Sequence, residues 1–277
     1  MNPSYMSDMY DSEPRRKNTQ HRRPGCKEHT QEIVPRSRLR RSRDADIRGI
    51  PNYSLRFSPV VRQQAVKDVE GYVVVTRETL TPLVTFFSKQ RPSEYIPYVL
   101  SSLKYLIETY NVLNEYNIIH TNYTSIAFRP NSTPVLCDFV ERSLVPYYIP
   151  IELYMLNTVA HSNIRALSKQ NIEGICLKYF KLIGKKVSDE SMRSCVSFFT
   201  PIVNRPSSEA TDLLGRYQKT WHIYGLASVY IQLLGILDVP CVPRFLSTLL
   251  LRCVSLLPPE RPDASELIHS LNTNREV

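Results

Sequence analysis

Asn117-Ile118-Ile119-His120-Thr121-Asn122, followed eighteen residues after His120 by Asp138-Phe139, is the stretch on which the reading of this chain turns. An apolar pair leads into a histidine and two polar residues. Val135-Leu136-Cys137 then forms a short apolar run that delivers an aspartate to a turn, with Val140 two positions beyond it. Between them the sequence predicts a strand at Ile126–Phe128, a turn over Pro130-Asn131-Ser132-Thr133-Pro134 and a second strand at 135–137.

Upstream, a long helix is expected from Glu94. Ile96, Val99, Leu100, Leu103, Leu106, Ile107, Tyr110 and Leu113 keep the spacing of one buried stripe, and Pro97 suits a first turn. A short helix is expected at 82–89, and strands at 53–58 and 71–76. Downstream, helices are expected at about 150–160, 169–183, 189–198, 217–235, 243–256 and 263–272. Asp263 and Glu266 have the spacing of a capping box after Pro262. The expected class is α+β, mainly α.

The 277 residues and 42% hydrophobic content suit one domain with a substantial core. Eight glycines argue against a Gly-rich phosphate loop. The formal charge of +9 is uneven. Residues 15–43 carry eleven Lys/Arg against Glu28 and Glu32, so the basicity belongs to an N-terminal tail. Residues 1–45 have few large apolar residues and no helical period, and are expected to be disordered. Arg36, Arg38, Arg40, Arg41 and Arg43 form the densest run. That run suits an import signal, a nucleic-acid arm or an anionic-surface arm, or else a solvated tail with no specific partner.

Six cysteines occur without a CxxC pair or an accompanying His cluster, which argues against zinc. No secretory leader pattern is visible, so reduced thiols and an intracellular location are expected. The sequons at Asn122 and Asn131 then read as chance matches. The longest apolar stretches, 224–237 and 245–257, are too short to span a bilayer, and no membrane span is expected.

Taken together, residues 72–272 resemble the C-terminal lobe of protein kinases. Ile118-Ile119-His120 sits where that family has its His-Arg-Asp segment, and Asp138-Phe139 where it has Asp-Phe-Gly. Trp221-His222-Ile223-Tyr224-Gly225 resembles the start of the family's central helix, and Leu257-Pro258-Pro259-Glu260-Arg261-Pro262 its Asp-Pro-x-x-Arg-Pro segment. The resemblance implies that Arg261 pairs with Glu152 of Pro150-Ile151-Glu152. About 70 residues separate Glu152 from His222, a far longer interval than ordinary kinases have. The long helical insert (about 153–215), the Pro-Ile-Glu variant and Lys219-Thr220-Trp221 are similar to kinases of large nucleocytoplasmic DNA viruses. Residues 46–80 leave room only for remnant N-lobe strands and a hinge-like segment before the helical lobe at 81–277. Ala65-Val66-Lys67 superficially resembles a kinase strand motif, but the hinge-like strand follows too soon, so Lys67 reads as a surface residue.

The same resemblance marks what is missing. Asn122 stands at the catalytic aspartate, Thr124 at the loop lysine and Ala127 at the second metal-binding residue. Thr121 stands at the loop arginine, and His222 at the aspartate that anchors the loop. His120 is expected as a structural core histidine. Asp138 alone could hold one Mg²⁺ with nucleotide phosphates. The expectation is a pseudokinase that binds or scaffolds a protein partner, in host cytoplasm, nucleus or virion if the context is viral. No cofactor is expected. The alternative is an atypical active serine/threonine kinase using ATP and Mg²⁺, with Asp68, Glu70 or Glu115 as base. A further alternative is a structural or nucleic-acid-associated protein led by its basic tail.

Overall fold

The structure is a computed structural model that describes residues 29–35, 44–58, 62–65, 71–139, 146–161, 166–184, 188–239 and 241–273. Among these residues it is mainly helical with two small sheets, an α+β arrangement. One sheet is antiparallel and three-stranded. Its central strand β4 (Tyr72–Glu78) lies between β1 (His29–Pro35) and β3 (Arg62–Ala65). The β-branched run Val73-Val74-Val75-Thr76 explains the central position. Ile33 pairs with Val74, and Gln64 pairs with Val74 from the other side.

The second sheet has the order β2-β7-β6-β5: β2 (Phe57–Ser58), β5 (Thr81–Pro82), β6 (Ile126–Phe128) and β7 (Pro134–Cys137). The β6–β7 pair is the expected hairpin, closed by a left-handed Ser132 at φ 63°. Its other partner was not foreseen. β2 pairs with β7 in parallel, Phe57 opposite Leu136.

Two short helices, α1 (Asp44–Arg48) and α2 (Tyr53–Arg56), lead into β2, and α3 (Leu83–Phe87) follows β5. α4 (Tyr95–Glu115) is the expected long helix and buries Val99, Leu103, Leu106, Ile107, Tyr110 and Leu113. The helical block continues with α5 (Ile151–Ala160), α6 (Lys169–Leu182), α7 (Asp189–Phe199), α8 (Ser207–Gly215) and α9 (Gln218–Ile236). α10 (Arg244–Cys253) and α11 (Ala264–Thr273) end it. α9 is buried without interruption from Trp221 to Tyr230, so it is the helix around which the others pack. Asp263 Oδ1 caps α11 by accepting from Glu266 N–H at 2.8 Å.

Apolar side chains form two cores. The main one joins α4, α9, α10 and α11 to the β6–β7 hairpin and to Ile47, Ile50 and Phe57. The second lies among α5, α6, α7 and α8, and includes Met155, Ile172, Cys176, Tyr179, Cys195, Phe199 and Leu214.

Three expectations are corrected. Residues 53–58 are not one strand: 53–56 are a helix, opened by a left-handed Asn52 and held by Arg56 Nη1 donating to Thr109 Oγ1 at 3.0 Å. The tail at 1–45 is not wholly without structure. His29–Pro35 form a strand because β4 offers a full row of backbone partners, which outweighs the polar composition of the segment. The rest of that tail, including all five arginines of the dense run, lies outside the described residues apart from Asp44 and Ala45. Finally, α8 was not anticipated; Ala210 and Leu214 alone give it a buried face. No helix among the described residues is long and apolar enough to cross a membrane.

Candidate functional site

His120 lies 3% exposed in the loop after α4, and its tautomer follows from its partners. Ser125 Oγ–H donates to the Asn122 carbonyl at 2.7 Å. The same hydroxyl oxygen is therefore free to accept from His120 Nε2–H at 3.2 Å. His120 Nδ1 then accepts from Tyr110 O–H, also at 3.2 Å. The ring is neutral, and burial pushes its pKa down to about 4. It packs 4.9 Å from the Phe139 ring, which in turn meets Phe57 edge-on.

His222, in the first turns of α9, anchors this loop. Its Nε2 accepts from His120 N–H at 3.0 Å, so the proton of the neutral ring sits on Nδ1. That Nδ1 is buried with no hydrogen-bond partner among the described residues, and the ring stacks 4.7 Å from Tyr110. Burial, and then the neighbouring His120, push the pKa of His222 down to about 3. An imidazole thus supplies one acceptor and leaves one buried donor unsatisfied, a cost of about 1–3 kcal/mol.

Asn122 is fixed at both ends. Its Oδ1 accepts from Thr124 Oγ1–H at 3.0 Å, and its Nδ2 donates to Asp138 Oδ2 at 3.3 Å. Asp138 is left-handed at φ 58°, a conformation that aspartate tolerates better than most residues. Ala127 lies inside β6 opposite Val135, 6% exposed, and offers a methyl group only. Tyr123 is wedged beneath the loop, donating from its hydroxyl to the Trp221 carbonyl at 3.2 Å. A methyl group added at Gly225 would fall 2.2 Å from the Tyr123 ring, so this crossing requires glycine.

Glu152 and Arg261 meet as expected, both side chains fully buried. Arg261 Nη2 donates to Glu152 Oε2 at 3.1 Å, and Nη1 donates to Glu152 Oε1. The guanidinium also donates from Nε to the Ser255 carbonyl at 2.8 Å and lies over the Tyr224 ring. Tyr224 O–H donates to Tyr179 Oη, whose own proton goes to the Ile149 carbonyl, each at 2.9 Å. α6 is therefore tied to α9 by a buried polar chain. Breaking such an ion pair by removing one partner typically costs about 3–5 kcal/mol.

Three consecutive residues of α9 join these parts. Thr220 Oγ1 accepts from Arg261 Nη1 at 3.4 Å, the Trp221 carbonyl accepts from Tyr123, and His222 accepts from His120. His120, Asn122, Asp138 and His222 thus form one connected group, and Glu152 and Arg261 reach it through Thr220. Lys67, Asp68, Glu70 and Val140 lie outside the described residues. Glu115 ends α4, where its Oε1 accepts from Asn111 Nδ2 at 3.2 Å. Sequence reasoning missed the parts played by Tyr110, Tyr123, Ser125 and Gly225. Tyr110 was visible only as one member of an apolar stripe. No protein-family model matches the chain, and no curated protein is significantly similar to it.

Among the described residues no group of three or more His, Cys, Asp or Glu side chains is placed to hold a metal. The oxygen donors gathered at this point are one carboxylate, one carboxamide and the Thr124 hydroxyl, and the carboxamide turns its NH₂ toward the carboxylate.

Proposed function

We propose that this chain is a degenerate member of the protein kinase superfamily, a pseudokinase that acts by binding a protein partner. The observation that carries the reading is the Asn122 carboxamide held between Thr124 and Asp138. Phosphoryl transfer by kinases uses an aspartate to accept the hydroxyl proton, and two metal ions held by an aspartate and an asparagine. At the corresponding positions stand an amide, which has no basic lone pair near neutral pH, and the methyl group of Ala127. General-base help is worth about 10²–10⁴-fold in rate. The donor set does not fit a two-metal centre, so no phosphoryl-transfer step is assigned to these residues.

The buried Glu152–Arg261 pair and the His222–His120 anchor support the kinase ancestry, because both connect segments that the resemblance pairs. A framework maintained this tightly around a disabled centre is what a binding role requires. A viral origin and an anionic contact through Arg36, Arg38, Arg40, Arg41 and Arg43 belong to the same proposal.

The test is a thermal-shift titration of the full chain with ATP, with and without Mg²⁺, beside Asp138→Ala and a phosphate-transfer assay. A ligand at a hundred times its Kd stabilises by about 2.7 kcal/mol, which moves the melting temperature by several degrees. We expect no Mg²⁺-dependent shift and no transfer. Transfer that disappears in Asp138→Ala would establish an active atypical kinase instead.

A further inference from the structure

The outward face of α6 has no part in the site described above. The inward face of this helix is fully engaged: Ile172, Ile175, Cys176, Tyr179 and Phe180 are buried, and Tyr179 bonds to Ile149 and Tyr224. Ser168 Oγ caps its start by accepting from Asn171 N–H at 3.1 Å, so α6 is a fixed platform. Gly174 stands mid-helix on the exposed side, where glycine weakens a helix relative to alanine. No packing inside the chain accounts for it, because a methyl group added there would meet nothing within 4 Å. Two rows of side chains run on from Gly174, one with Leu177 and Lys181, the other with Lys178 and Leu182. All four are exposed, Leu177 by 63% and Leu182 by 51%. Lys169, Lys178 and Lys181 face solvent against Glu173 alone, and none of these four forms an ion pair among the described residues. Lys185 and Lys186 follow in the sequence.

We propose that this face of α6 is a docking surface for a protein partner, which it takes as an acidic amphipathic helix. An apolar ridge of the partner enters the notch at Gly174 and packs on Leu177, while carboxylates beside that ridge reach Lys178 and Lys181. This deepens the binding role proposed above and rests on it, though not on kinase ancestry. Charge and shape decide against other occupants. Two copies of this chain would set three lysines against three lysines. An anionic lipid surface would attract the lysines, but it would repel Glu173 and has no use for a notch one side chain wide.

The experiment measures, by fluorescence anisotropy, binding of the full chain to a synthetic amphipathic peptide. Its stripe is leucine and its other positions are glutamate and alanine; a twin carries lysine for every glutamate. We expect the glutamate peptide to bind about ten-fold more tightly than the twin. Lys178→Glu together with Lys181→Glu weakens the glutamate peptide about ten-fold and strengthens the twin. Gly174→Gln fills the notch: it raises the melting temperature, because glutamine is the better helix former, yet weakens the peptide about ten-fold. Stability and binding then move in opposite directions, which separates docking from misfolding. The proposal is overturned if the peptide does not bind, or if its binding survives all three substitutions and so belongs to the basic tail. It is equally overturned if the chain self-associates in sedimentation and Gly174→Gln abolishes that, which makes a second copy the occupant. Loss of binding to phosphatidylserine vesicles in these variants, with the peptide unaffected, would make the surface membrane-facing and overturn it too. None of these readouts involves nucleotide, so their failure and that of the kinase reading are distinguishable.

Discussion

At Asn122 both ends of the side chain are occupied locally, the oxygen by Thr124 and the nitrogen by Asp138. The amide therefore does for Asp138 what a cation would do, offering positive hydrogen to a carboxylate oxygen. Asn122→Asp replaces that donor with a second carboxylate about 3.3 Å from the first. Like charges so close cost about 1–3 kcal/mol at neutral pH. We expect the variant to melt several degrees below the parent chain at pH 7, with that difference narrowed by millimolar Mg²⁺ or by lowering the pH of both toward 5. Calorimetry with and without the ion checks it. The Glu152–Arg261 partnership was legible in the sequence, as were Asn122 as an altered position and Asp138 as a retained one. Their bond was not, because nothing in residue identity fixes which way a carboxamide turns. Tyr110 and Ser125, which decide the tautomer of His120, gave no sign beyond hydrophobicity and turn preference.

Among the elements, α4 and α9 declared themselves through long apolar patterns, which needed no tertiary information. Short elements did not. Residues 53–56 coil because Arg56, Tyr105 and Thr109 hold them there, and His29–Pro35 extend because β4 supplies a ladder. In each case the deciding partner is far away along the chain. The contact of α9 with the loop beneath it is tested by Gly225→Ala. In an open helix that change would stabilise by about 1 kcal/mol. Here the methyl group meets the Tyr123 ring at 2.2 Å, so we expect a net loss of about 1–3 kcal/mol by urea denaturation. Gly225→Ala combined with Tyr123→Leu should recover part of it.

On the scale of the whole molecule, two neutral buried imidazoles couple folding to pH. The pKa of His120 lies near 4 and that of His222 near 3, while an unfolded histidine titrates near 6.5. Above pH 6.5 neither state is protonated at these sites and the pair has no effect on the balance. Below it the unfolded chain takes up protons that the folded one refuses, so stability falls as pH falls from about 6.5 toward 4. With both rings contributing, the slope is about 2.7 kcal/mol per pH unit. Denaturant titrations between pH 7.5 and 5 should show it, and His222→Asn, which keeps an acceptor for His120 N–H, should remove about half. The parallel pairing of Phe57–Ser58 with Leu136–Cys137 has a consequence in time. During synthesis this strand must wait for nearly eighty further residues before its partner exists, roughly 4–16 s at ribosomal speeds of about 5–20 residues per second. Phe57 stays without its strand partner for that interval, and its carbonyl waits almost as long for Arg129. The nascent chain thus builds this sheet from its β5 edge toward its β2 edge, and its earliest-made strand is sealed last.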